Sequence, residues 1–233
     1  ALTFAEVDMP GRHDDPSGPI DVRTRGRLAG SGSGHFEATL RIASGEKDGV
    51  TADGTVSFTD AEVKAWQALL PSGADGPMIA GPTSGEVQIA GPLARTAFVG
   101  SLNLRPTTVR LGRAFRKPAG EDARVAFQGR REGDGLRFTS VMITLRDTTL
   151  TGTAHLADLK VPRVVFTAAS DRLDLDRLLA TSTKQTWLSP SAAWAAAPSH
   201  GAPAPVAPGV SAQGKVTLGA LTYQGMTWSA AAL

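Results

Sequence analysis

The side chains best able to do chemistry are scattered along this chain. Its four histidines are His13, His35, His155 and His200. None pairs with another at i, i+4, and none stands with a carboxylate at ligand spacing. They read as surface or strand-edge residues rather than as metal ligands. Asp171, Asp174 and Asp176, in "FTAASDRLDLDRLL" (166–179), invite a calcium site. That stretch lacks the glycine and the terminal glutamate of a calcium loop. An aspartate capping a short helix, with Arg172 and Arg177 near enough to pair, accounts for the same residues. "GSGSG" (30–34) has no Gly-Lys-Ser/Thr and no helix after it, so it reads as a hairpin tip and not a phosphate loop. No serine lies in a G-x-S-x-G elbow. With no cysteine there is no thiol nucleophile, thiolate zinc site or disulfide. Sugar sites want aromatic platforms, and only Trp66, Trp187, Trp194, Trp228 and one tyrosine are available. The expectation is a protein without catalytic residues, metal or cofactor.

Bulk composition leaves other classes open. The chain has 233 residues, of which 41% are apolar and 20% charged. That is enough apolar material for a core. A net charge of +2 is too small to suggest nucleic acid as a partner. No run of about 18 apolar residues occurs, so no stretch reads as a membrane-spanning helix. The first residues, "ALTFAEVD", and the last, "GMTWSAAAL", are both strand-like. The chain is expected to be a piece of a longer protein, with any anchor or export signal outside it.

The elements that would position any site are strands. In "IDVRTRGRL" (20–28), Ile20, Val22 and Leu28 share one face, and Asp21, Arg23, Arg25 and Arg27 the other. "HFEATLRI" (35–42) sets Phe36, Ala38, Leu40 and Ile42 against Glu37, Thr39 and Arg41. This period of two continues in "GEVQIAG", "TAFVGSLNL", "TTVRLG", "ARVAFQGRR", "GLRFTSVMITL", "TTLTGTAHLAD" and "RVVFTAAS". Gly, Asp and Pro punctuate the strands closely, which favours hairpins, with Asp134-Gly135 expected at one turn. Only two helices are expected. One spans 58–71, with Thr59 and Glu62 as a capping box and Pro71 as its stop. The other is a short turn from Asp174 to Leu179. Residues 181–212 are rich in Ala, Pro and Ser and read as a linker or excursion. Alternation returns over 213–233, expected as a strand pair of the same sheet or the start of a further repeat. The sheet domain itself is expected to occupy 1–180.

The expected fold is therefore all-β and mainly antiparallel, with one or two short helices. Such a sheet must bury its apolar face. It can fold into a sandwich, close into a barrel, or curl into a trough. Gly100, Ser101, Ala168 and Ala169 inside strands permit strong curvature. "FEATLRI", "FVGSLNL" and "FTAASDRLDL" share a pattern of small mid-strand residues, which suggests a repeated β unit.

The order of motifs from about residue 84 carries a family resemblance. "VQIAG" leads into "PLARTAFVGSLNL". "GTAHLADLKVPRVVFTAAS" follows, then "LDLDRLL", and after the Ala/Pro-rich stretch "GKVTLGALTYQGMTWSAAAL". This block resembles the periplasmic AsmA family, relatives of the bridge-like lipid-transfer proteins. The resemblance implies a curved, repeated sheet that forms a groove. It further implies a periplasmic module of a parent anchored in the inner membrane by a segment not in this chain. The implied role is non-enzymatic: phospholipid transport or outer-membrane assembly and homeostasis, with a phospholipid or other acyl-chain ligand and membrane contact through the parent. Ten to thirteen strands at about 4.8 Å each would give a groove on the order of 50–60 Å long. Candidate lining residues are Phe36, Leu40, Val87, Ile89, Phe98, Leu102, Phe127, Phe138, Met142, Val164 and Phe166, placed by strand parity. The arginine face at Arg23, Arg25 and Arg27, with Arg130, Arg131 and Arg137 elsewhere, either solvates an outer strand face or meets anionic headgroups. The alternative to a lipid groove is a structural or protein-interaction β domain whose edges pair with neighbouring segments.

Overall fold

A computed structural model describes residues 2–8, 18–28, 34–45, 49–62, 78–111, 115–157, 163–179 and 211–232. Twelve strands form one open sheet. In spatial order they are β1 (Leu2–Asp8), β2 (Ile20–Leu28), β3 (His35–Gly45), β4 (Gly49–Glu62), β6 (Pro82–Ala90), β7 (Ala97–Asn103), β10 (Ala123–Glu132), β11 (Gly135–Leu145), β12 (Thr148–Leu156), β13 (Arg163–Asp174), β14 (Ser211–Tyr223) and β15 (Met226–Ala232). Three short strands, β5 (Met78–Ala80), β8 (Thr108–Leu111) and β9 (Phe115–Lys117), form a separate small sheet. The large sheet does not close; it is a curved trough with β1 and β15 as its edge strands among the described residues.

In the large sheet, strands follow one another in space in their chain order, and nearly all neighbours are antiparallel. The exception is β13 and β14, which pair in parallel from Arg163↔Ser211 to Asp174↔Thr222. Parallel neighbours need a crossover of a dozen residues or more. Helix α1 (Leu175–Leu179) and the Ala/Pro/Ser-rich stretch supply that length. The excursion lies largely outside the described residues.

Turn chemistry fixes the hairpins. Gly133, not Gly135, takes the positive φ between β10 and β11, because Glu132 pairs with Gly135 and leaves Gly133-Asp134 as the turn. Between β14 and β15, Gln224 and Gly225 both have positive φ. The Asp176 carboxylate steadies that turn, accepting from Gln224 N at 2.6 Å and Gly225 N at 2.8 Å. Asp174 accepts from Arg177 N at 3.0 Å and so caps α1. The acidic stretch 171–176 is thus a corner piece, gripping its own helix and the hairpin beyond it.

The helix expected from residue 58 starts differently. Phe58 to Glu62 complete β4: Phe58 pairs with Phe36 and Gly85, Thr59 with His35, and Glu62 with Pro82. Thr59 and Glu62 therefore form no capping box, and residues 63–71 lie outside the described residues. A bulge near Asp60, at φ 52°, lets the strand turn the corner.

A polar knot ties the small sheet to the trough. Lys117 is 2% exposed. Its ammonium donates to the carbonyls of Thr107 at 2.7 Å, Pro118 at 3.1 Å and Arg105 at 3.2 Å. Buried Thr107 donates to Pro82 O at 2.7 Å, and buried Thr83 to Asn103 O at 3.0 Å. Burial pushes the Lys117 pKa below its ordinary 10.5, against the pull of Glu121 and Asp122. Lys117→Met would strip three carbonyls of their donor. It should cost about 2–3 kcal/mol in denaturant unfolding. Because the unfolded lysine binds its proton more tightly, this group's contribution rises as pH climbs toward 10.5. The gap between wild type and variant should therefore widen with pH, and a gap that narrows would contradict the assignment.

Candidate functional site: an apolar groove

The inner face is assembled row by row across the strands. One row runs Val22, Leu40, Gly54, Ile89, Phe98, Gly129, Phe138, Ala154, Phe166 and Gly214. The next runs Ala38, Val56, Val87, Gly100, Phe127, Val141, Gly152, Ala168 and Val216. Phe36, Phe58, Gly85, Leu102 and Val125 make a third. The opposite face carries Arg23, Glu37, Thr39, Gln88, Arg124, Gln128, Arg130, Arg137, Thr153 and Thr167, all exposed. The two faces thus differ as strict alternation requires.

Within each row a ring lies against a residue too small to resist it. A Cβ added to Gly100 would meet Phe127 Cζ at 2.5 Å, and one added to Gly129 would meet Phe98 Cζ at 2.7 Å. At Gly85 it would meet Phe58 Cζ at 2.8 Å, and at Gly214 the Phe166 ring at 2.6 Å. Phe98, Phe127 and Phe138 touch edge to face, with centroids 5.3–6.1 Å apart. The shared pattern of β3, β7 and β13 has the same basis: Phe36-x-Ala38, Phe98-x-Gly100 and Phe166-x-Ala168 each set a ring and a small residue on the inner face.

These rings have no second layer over them among the described residues. Strands of the large sheet pack against their sheet neighbours, not face to face. Among the described residues the buried apolar ones are Ala38, Ala52, Ala61, Ala123 and Leu218. Every candidate aromatic is only half-buried. The open hollows of about 500 Å³ and 410 Å³ belong to the other face, lined mostly by outward residues: Arg137, Thr153, His155 and Thr167 in one, Arg25, Arg27, His35 and Glu37 in the other.

Ten of the eleven candidate residues share the inner face: Phe36, Leu40, Val87, Ile89, Phe98, Leu102, Phe127, Phe138, Val164 and Phe166. Met142 does not. A bulge between Phe138 and Val141 adds a residue to β11 and reverses its parity. Val141 then joins the inner face, and Met142 points outward, 45% exposed. Sequence reading also passed over Val56 and Phe58. The alternation in "TVSF" marked both, but residue 58 had been given to a helix.

Among the described residues the inner-face rows are made of phenylalanine, aliphatic side chains, alanine and glycine. His35 and His155 lie on the outer face, across from Arg27 and Arg137; His13 and His200 lie outside the described residues. Among those residues no three metal-ligating side chains gather, and no buried side-chain nitrogen or oxygen lacks a partner. Charged groups cluster on the rims. Arg146 holds Glu121 with two bonds, of 2.6 and 2.9 Å, and also donates to Arg177 O, while Arg177 pairs with Asp147.

Gly129→Val should destabilise the fold by about 1–3 kcal/mol, read as a lower denaturation midpoint. An unchanged midpoint would show that the Phe98 ring does not depend on that space. Comparison with protein families, with curated proteins and with solved structures finds no family model, no curated protein and no solved structure that matches this chain.

Proposed function

We propose that this chain is a non-enzymatic lipid-binding module whose open trough holds acyl chains, as part of lipid transport or assembly in a cell envelope. One observation carries the reading: a continuous apolar face, rich in phenylalanine, has no protein layer over it among the described residues. The row from Val22 to Gly214 crosses ten strands, or roughly 43 Å at about 4.8 Å per spacing. That exceeds the roughly 30 Å hydrocarbon core of a bilayer, which two opposed tails fill. A sixteen-carbon tail with half its surface covered would gain roughly 6 kcal/mol. Such binding needs no directional bond, which fits a site without a catalytic constellation. The reading agrees with what the AsmA-like order of motifs implies, including a periplasmic setting and a membrane-anchored parent.

A second reading is favoured by the free edges. β15 (Met226–Ala232) carries no charge and no proline. Such an edge invites strand addition by a neighbouring segment or copy. Ser229→Lys should then abolish association seen in analytical ultracentrifugation; wild-type protein that stays monomeric would speak against self-pairing.

Lipid binding is tested by mass spectrometry of organic extracts from gently purified protein. Wild type should carry phospholipid. Phe127→Asp, on the inner face, should lower that load at least about tenfold, the effect of some 1.4 kcal/mol. Met142→Asp, on the outer face of the adjoining strand, should leave it unchanged. Equal loads in the two variants, or no lipid on wild type, would end the proposal.

A further inference from the structure

We infer that the groove's mouth at the β10–β11 turn seats the anionic phosphate of a lipid headgroup, with Arg131 as its principal contact. This rests on the acyl-chain reading of the trough and adds the headgroup class to it. The placement follows from strand parity. Along β10, Phe127, Gly129 and Arg131 share the inner face, while Arg130 and Glu132 share the outer one. Arg131 is therefore the next inward position after the glycine on which the Phe98 ring rests. It stands where the apolar floor gives way to water, and it is exposed.

The charge at that mouth is positive. Glu132 pairs with Arg130 at 2.7 Å and with Arg137 at 2.7 Å, and their hydrogen bonds hold its carboxyl below the usual carboxylate range. That carboxylate is therefore committed to the outer face. Arg131 donates to two carbonyls, Gly133 O at 3.0 Å and Leu93 O at 3.3 Å. Those bonds orient the guanidinium without cancelling its charge, and they use two of its five N–H groups. Among the described residues, four arginines, Arg130, Arg131, Arg137 and Arg163, stand with two acids, Glu132 and Asp134, at this end of β10–β13. Leu93, in the neighbouring turn, is 45% exposed. A cation on a fixed fork beside an exposed leucine, above aromatic rings, matches a phosphate with its tail running inward.

The test uses vesicles of phosphatidylcholine mixed with phosphatidylglycerol. Protein is incubated with them, separated, extracted and weighed by mass spectrometry for both lipids. Both lipids share one surface, so general attraction to the membrane cancels in their ratio. Wild type should take phosphatidylglycerol in preference. Arg131→Gln should lower the phosphatidylglycerol-to-phosphatidylcholine ratio about fivefold, because the choline cation already offsets the phosphate of phosphatidylcholine and leaves it less to gain from the guanidinium. Arg131→Lys should keep most of the preference. Excess inorganic phosphate distinguishes the two sources of the anion: a headgroup site anchored by its tails keeps its lipid, whereas a free-phosphate site shows a phosphorus resonance shift that Arg131→Gln removes. A ratio unchanged in Arg131→Gln overturns the headgroup site and leaves the trough standing. Uptake of neither lipid by wild type overturns both.

Discussion

The fold depends on phenylalanine rings laid over glycine and alanine on the neighbouring strand. A single-layer sheet has no opposing layer to fill its inner surface, so its side chains must pack on their own backbone. Gly85, Gly100, Gly129 and Gly214 provide the floor, and Phe58, Phe127, Phe98 and Phe166 the filling. A side chain at those glycines would collide with ring or carbonyl. The arrangement shelters part of each ring from water and lets successive strands turn inward. It also explains why a face so rich in apolar residues buries few of them outright. Twelve strands bonded edge to edge hold the sheet in the lateral direction, and the rings govern its bend.

The rims do different work. Strand ends expose amides and carbonyls that no ladder satisfies. At one rim the chain answers with ions: Asp176 under the Gln224-Gly225 turn, Asp174 at the start of α1, and Lys117 amid three carbonyls. These groups resemble the parts of catalytic or metal sites in type only. Each is consumed by backbone. The carboxylates that first suggested calcium chemistry hold a corner, and the buried lysine holds a junction. The opposite rim carries Arg130, Arg131 and Arg137 at the β10–β11 turn, so the two lips of the trough differ in character where they are described.

Much of the architecture was legible because alternation is a local signal. β2 spans Ile20–Leu28 as the pattern drew it, and β3 begins at His35. What stayed hidden was set by neighbours in space. Thr59 and Glu62 fit a capping box, but in the fold Thr59 pairs with β3 and Glu62 with β6, and the strand ladder outweighs a cap of about 1 kcal/mol. Met142 follows the parity of Phe138 only if β11 is regular; two residues opposed to fewer on both neighbouring strands break that count. The parallel step from β13 to β14 had no marker in either strand, only the long insertion between them. Family resemblance pointed to a groove, whereas the glycine floor beneath it emerged from register alone.

A groove of this construction has a chemical consequence for selectivity. Its floor offers rings, methyl groups and glycine, and every strand contributes to it in much the same way. Tails of different length or saturation would meet nearly the same surface at each position along the row, so the floor discriminates little among them. Discrimination requires groups that differ from place to place, and those lie at the lips, where the hydrogen-bonded arginines are. A headgroup must stay near water while its tails do not, so it cannot avoid the lips. If the trough takes lipid as proposed, the part most able to be recognised would sit beside the oriented arginines of the lip, and the part that supplies most of the binding energy where the sheet is indifferent.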